Sequence, residues 1–230
     1  MKLVIFSGAG ISADSGISTF RDSDGLWAQY RIEDVCTPEA LARDRDTVIR
    51  FYNQRRKELL SKEPNPAHYA IKELEQYYDV EVVTQNVDNL HERAGSQKIL
   101  HLHGELMKLC STADNSLIYL MDGWEQKLDA RCPKGSLLRP YIVFFGEAVP
   151  LMGQAVNIVS AADILIVVGT SLAVYPAASL IHYAKNSAIV YVVDPQIPPI
   201  SGIRNRVETI RMNAAQGMPL LAKQLIREVC

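Results

Sequence analysis

Residues 1–27 read MKLVIFSGAGISADSGISTFRDSDGLW, an apolar run followed by a glycine-rich turn and a polar stretch. Lys2 to Phe6 is a short, partly β-branched apolar run bounded by Ser and Gly, the pattern of a buried strand. Gly8 and Gly10 follow at once, with Ala13 at a third small position. Two glycines ahead of a helix start let the backbone approach a pyrophosphate, whose charge is met by free N–H groups and the positive end of the helix dipole. The usual second strand ending in an acidic residue about 20 positions on, which holds a ribose, is missing. In its place stand Ser15, Gly16, Ser18, Thr19, Arg21, Asp22, Ser23, Asp24 and Gly25, turn formers suited to a loop that moves over a bound ligand.

Working outward, DVEVVTQNVDNL (79–90) reads as a second strand with a polar exit, and KILHLHGEL (98–106) as a third, shorter one. ADILIVVGTS (162–171), AIVYVVDP (188–195) and VETIRM (207–212) are further apolar strands, separated by the helix-like VYPAASLIHYAKN (174–186). Ala214 to Val229 is a closing amphipathic helix. Continuous apolar strands alternating with helices predict an α/β fold, a Rossmann-like parallel sheet with helices on both faces. Thr37 before Pro38 and Glu39 starts a helical stretch that runs to Tyr78, broken near Pro64 and Pro66. Lys108 to Gly135 is polar and weakly patterned. The 230 residues therefore read as one domain: a core of about 1–25, 67–105 and 139–230, with a small lobe from a helical insertion (26–66) and a ribbon-like one (106–138).

A net charge of −2 offers no global attraction for nucleic acid or an anionic membrane. No run reaches the roughly 18 apolar residues of a membrane helix, and no basic stretch with a long apolar run stands at the N-terminus. Cys36, Cys110, Cys132 and Cys230 lack C-x-x-C spacing and read as reduced thiols, so a cytoplasmic, monomeric protein is expected.

The strand exits carry SGAGIS, TQNVDNLH, HGE, GTSLAVYP and VVDPQ. Asn, Asp and Gly at one exit are turn formers first; so many such exits at the carboxyl ends of a parallel sheet mark a ligand site. From the residues alone, His103 is open to three readings: a base, a metal ligand in H-x-H spacing with His101 and Glu105 in phase, or a structural histidine. Asn86 and Asp88 can equally cap a helix beginning near Leu90, and Phe20 and Arg21 can be loop packing.

GAGISADSGISTFRD (8–22), TQNVDNLHERAGS (84–96), LHGE (102–105), FFGEAVP (144–150) and GTSLAVYPAA (169–178) resemble the motif set of the sirtuins, NAD-dependent protein lysine deacylases. The resemblance implies that NAD is consumed as a co-substrate. The acyl oxygen of a modified lysine attacks C1′ of the nicotinamide ribose and expels nicotinamide. His103 then activates the ribose so that its 2′-oxygen takes the acyl group, giving free lysine and O-acyl-ADP-ribose. It implies catalytic roles for His103, Asn86 and Asp88. NAD contacts are implied from Gly8, Ala9, Gly10, Ser12, Phe20, Arg21, Gln85, Val87, Gly169, Thr170, Ser171, Asp194 and Ala214. Val143, Phe144, Phe145, Gly146 and Glu147 are implied to pair with the substrate backbone as an added strand.

Tyr52 and Arg55, three apart in RFYNQRRKELL (50–60), share a helix face. Within sirtuins, Tyr-x-x-Arg here resembles the subgroup that removes succinyl and malonyl groups, since Arg binds a carboxylate with two prongs. The sequence departs from the family in three places. Cys110 and Cys132 stand where two C-x-x-C pairs hold a structural zinc, so no zinc is expected. Asp194 replaces an Asn at the adenosine ribose and disfavours a 2′-phosphate. Asn213 replaces a glycine near the adenine. The alternatives are an ADP-ribosyltransferase in the same pocket and a non-catalytic NAD-binding sensor; a hydride-transferring oxidoreductase is disfavoured by the misplaced ribose acid.

Overall fold

The structure is a computed structural model that describes residues 1–17 and 29–230. The chain runs β1 (Lys2–Ser7), α1 (Gly10–Ala13), α2 (Ile32–Val35), α3 (Pro38–Arg43), α4 (Arg45–Leu59), α5 (Pro66–Leu74), β2 (Asp79–Thr84), α6 (Leu90–Arg93) and β3 (Ile99–His101). It continues β4 (Gly104–Ser111), β5 (Ile118–Leu120), β6 (Leu138–Ile142), α7 (Met152–Ser160), β7 (Ile164–Val168), a 3₁₀ helix (Ala177–Tyr183), β8 (Ile189–Val193), β9 (Arg206–Ile210) and α8 (Ala214–Val229).

Six strands form one parallel sheet in the order β3-β2-β1-β7-β8-β9, with Ile5 opposite Val82 on one side and Ile166 on the other. Alternate side chains of each strand go to opposite faces, and both faces are covered. Leu3, Ile5, Val82 and Ile166 pack under α5 and α8, while Val4, Phe6, Val83 and Val167 pack under α7 and the 3₁₀ helix. Each such side chain, removed from water, contributes about 1.5–3 kcal/mol before the entropy of ordering is subtracted. That is why these strands read as unbroken apolar runs.

The small lobe joins α2, α3 and α4 to an antiparallel sheet, β5-β4-β6. Its strands claim Gly104–Ser111 and Leu138–Ile142, so the ribbon insertion begins before residue 106 and returns after 138. The weakly patterned polar segment from Lys108 to Gly135 supplies half of β4 and all of β5. Thr37 caps α3 by accepting the Ala40 N–H at 3.0 Å, as its sequence predicts.

Asn65 caps α5 and also donates to the Ile11 carbonyl at 2.8 Å, tying α5 to the turn after β1. Behind this joint lie two buried imidazoles, His68 and His91, with ring centroids 5.0 Å apart. Burial lowers His68 to about 4 and drives His91 well below its ordinary value. Both rings fold neutral, whereas the unfolded chain protonates them near pH 6.5. Their contribution is therefore complete above that pH and lost as pH falls through the folded values. The drop in Tm between pH 7 and pH 4.5 should be smaller in His68→Gln than in the parent, whatever the variant's Tm at pH 7; an equal drop contradicts this.

Candidate active site

The strand order turns back between β1 and β7, and a cavity of about 560 Å³ opens at the carboxyl ends of β1, β2 and β7. Gly8, Ala9, Gly10 and Ser12 line it after β1; Gly169, Thr170 and Ser171 line it after β7. Asp194 after β8 and Ala214 at the start of α8 close the far end.

The glycines also serve a packing purpose that the sequence does not show. A Cβ on Gly10 would lie 2.8 Å from Gly169 Cα, and one on Gly169 would lie 2.2 Å from Ile11 N. The two strand exits press backbone against backbone. Gly8 N–H donates to Val168 O at 3.0 Å and Gly10 N–H to Gly169 O at 2.8 Å, so these two N–H groups are used within the fold.

After β2, the residues Gln85, Asn86, Val87 and Asp88 line the cavity. Asn86 Nδ2 donates to Ser12 Oγ at 3.2 Å, and that hydroxyl donates to Asp88 Oδ2 at 3.0 Å. The other carboxylate oxygen accepts the Leu90 N–H at 3.1 Å, so Asp88 also supports the start of α6. Burial pushes the Asp88 carboxyl up, against the pull of the Leu90 and Ser12 bonds. Gln85 Nε2 reaches across to Thr170 Oγ1 at 2.9 Å.

His103 sits between β3 and β4. Its Nδ1 lies 3.1 Å from the Gln85 carbonyl, which only accepts, so Nδ1 carries the proton and Nε2 keeps a lone pair for the cavity. Burial holds its pKa below the ordinary value, with the Gln85 bond opposing. Gly104, at φ +83°, makes the turn possible: a Cβ there would meet Tyr141 O at 2.1 Å. The single strand expected over 98–106 therefore breaks, and its halves join different sheets.

The two histidines of H-x-H do not converge. His101 Nδ1 lies 2.8 Å from Asn86 O and its Nε2 lies 2.7 Å from Glu92 Oε1. Glu92, His101 and Glu105 bring ligand atoms within 4.8 Å of one another, but Lys108 already sits 2.6 Å from Glu105 and His101 pairs with Glu92. Among the described residues this is the only such group of three.

The opposite wall comes from the small lobe. Tyr52 is fully buried, its hydroxyl 2.9 Å from Cys36 Sγ, and the Arg55 guanidinium carbon lies 5.7 Å from its ring centroid; all three residues line the cavity. Burial pushes the Tyr52 phenol well up, so it stays protonated. Phe144 stacks on Tyr52 at 5.8 Å, and Arg139 lies 4.1 Å from the Phe144 ring centroid.

Val143, Phe144, Phe145, Gly146 and Glu147 line the cavity as a turn outside any strand. The N–H of Val143 goes to His103 O, that of Phe144 to Glu147 Oε2 and that of Phe145 to Cys36 O. These three donors are used internally, so pairing with an added strand would fall to other backbone groups of the turn. The Glu147 carboxylate is held by Arg139 at 2.6 and 3.0 Å. Arg139, which holds Glu147, and Cys36, which lines the cavity beside Tyr52, are among the residues that the sequence reading did not place at the site. A cation inside the apolar run LLRPYIVFF is the signal for the first, because a buried guanidinium needs a carboxylate. Phe20 and Arg21 lie outside the described residues.

Cys110 and Cys132 are both buried. The Cys110 thiol faces Pro140 O and Asn115. Cys132 contacts the side chain of Ser111, the next residue along β4, so the two sulfurs fall on opposite faces of that strand. Burial raises the Cys132 thiol, but the Lys134 and Ser136 N–H groups outweigh it and bring it below its ordinary value. Two diverging thiols do not fit a four-ligand zinc site.

The Sir2 family model matches residues 8–176. A protein of Bacteroides thetaiotaomicron is 49% identical over 230 residues, covering 98% of each chain, and one of Helicobacter pylori is 49% identical over 227, covering 98% of this chain and 97% of its own. Both are named NAD-dependent protein deacylase. A solved Sir2 homolog–NAD complex superposes with a TM-score of 0.89 at 38% identity, covering 100% of this chain and 91% of its own. A parallel sheet that turns back at β1, a histidine lodged between two sheets and a match over most of the length have one explanation: the chain belongs to the Sir2 family.

Proposed function

We propose that this enzyme removes acyl groups from protein lysines at the expense of NAD, with His103 as general base and a preference for acyl groups that end in a carboxylate. The observation that carries the reading is the His103 ring: Gln85 O fixes its proton on Nδ1, and Nε2 faces a cavity shared with Asn86 and Asp88. Bound NAD supplies an electrophilic ribose carbon, freed as nicotinamide leaves. His103 Nε2 takes a proton from the ribose hydroxyl that then receives the acyl group. Ser12, Asn86 and Asp88, joined by hydrogen bonds, orient the nicotinamide half, and Thr170 with Asp194 the adenosine half. The Asp194 carboxylate disfavours a 2′-phosphate there, so NADP is a poor substitute.

Because burial lowers the His103 pKa, the base form persists below the usual histidine range. The acid limb of kcat/KM should have its midpoint below pH 6.5, and a midpoint above pH 7 contradicts this role. Mass spectrometry of the products separates the reading from ADP-ribosyl transfer: the acyl group should appear on ADP-ribose, with no ADP-ribose on protein.

Tyr52 and Arg55 support the acidic-acyl preference, since they line one wall with the guanidinium over the phenol ring. The cation can take a carboxylate bidentately, and the phenol adds a hydroxyl. Arg55→Met should lower kcat/KM for succinyl-lysine peptides by roughly 10- to 100-fold while sparing acetyl-lysine peptides. Equal loss on both removes the assignment. The diverging thiols support a small lobe without structural zinc: the purified protein should retain far less than stoichiometric zinc after dialysis, and stoichiometric zinc would contradict this. We read the protein as a monomer, and among the described residues no helix is long and apolar enough to cross a membrane. We read its place as the cytoplasm.

A further inference from the structure

We propose that Glu92 and His101 form a positioning pair for the reaction, a doubly donating imidazolium that fixes the Asn86 carbonyl and with it the Asn86–Asp88 wall of the cavity. His101 is buried, and each ring nitrogen meets a pure acceptor: Nδ1 the Asn86 carbonyl at 2.8 Å, Nε2 the Glu92 carboxylate at 2.7 Å. Only a ring with two N–H groups satisfies both, so the ring is charged and Glu92 is its counter-ion. Two residues on, His103 donates to the Gln85 carbonyl. HLH thus grips two consecutive carbonyls of the strand exit whose side chains face the cavity, with His101 setting the backbone and His103 left for chemistry.

The groups around His101 agree. Burial works against its charge, but the bond and field of Glu92, with Glu105 adding, outweigh it and raise its pKa. Its charge acts on buried Asp88 toward ionisation and on His91 toward neutrality, while Lys108 faces both Glu105 and Glu92. A raised histidine pKa means that the pair is intact at low pH and lost as pH rises through the folded value. One N–H is then left for two acceptors, and the grip on Asn86 weakens.

The proposal rests on reading the Asn86–Asp88 wall as part of the NAD site. The test is NAD affinity by calorimetry from pH 6 to pH 9 on the parent, Glu92→Gln, His101→Asn and Asn86→Ala, with ¹⁵N NMR of the parent's histidine rings. The parent should show a His101 ring protonated on both nitrogens at pH 7. Glu92→Gln should weaken NAD about fivefold or more at pH 8 and begin losing affinity at lower pH than the parent. His101→Asn, whose Nδ2 replaces ring Nδ1, should bind NAD with this pH dependence removed. A neutral His101 ring at pH 7, or parent-like affinity and pH dependence in Glu92→Gln, overturns the pair. Unchanged affinity in Asn86→Ala instead overturns the reading of the wall on which it stands.

Discussion

The contact on which the rest depends is the backbone-to-backbone meeting of the β1 and β7 exits. Gly8 and Gly10 donate into Val168 and Gly169, and there is no room for a Cβ between Gly10 and Gly169. This holds the two strands together at the one place where the sheet order turns back, which is where a crevice must open. The cavity is a consequence of topology, and its mouth is fixed by hydrogen bonds that need no ligand. The glycine pattern is thus a statement about packing before it is one about phosphate.

The second constraint is the abrupt passage from β3 to β4. The chain leaves the large sheet at His101 and enters the small one at Gly104, whose positive φ and contact with Tyr141 exclude a side chain. His103 is left at the joint, belonging to neither ladder, with one nitrogen satisfied by Gln85 and the other facing the cavity. A basic nitrogen at the seam of two lobes sits between what each lobe holds. The small lobe brings its own wall, ordered by a column of Arg139, Phe144, Tyr52 and Arg55 that Glu147 anchors from beneath.

The parallel sheet was legible because its strands are buried on both faces and therefore written as continuous apolar runs. Thr37 and the closing helix were legible for local reasons, a capping hydroxyl and an amphipathic pattern. The break at His103 was not, because KILHLHGEL alternates as a strand does and only the contact of Gly104 with a residue 37 positions away imposes the turn. The strands of the ribbon-like insertion were not legible for a related reason: β5 is an edge of three residues, too short to show a period. The motif residues among those described line one cavity, and hydrogen bonding assigns parts of the 143–147 turn to holding its own shape. Pairings off any helix or strand period, such as Arg139 with Glu147 across a turn or Tyr52 with Cys36, leave no periodic trace.

On the proposed reading, His103 acts on the ribose after nicotinamide has left, as a base at the seam of the lobes. Exchange of labelled nicotinamide into NAD, measured beside release of free lysine in His103→Ala, tests it most directly. Exchange should persist with an acyl-lysine peptide present while free lysine release is lost. If both fell together, or if lysine release survived the loss of the imidazole, the claim would be contradicted.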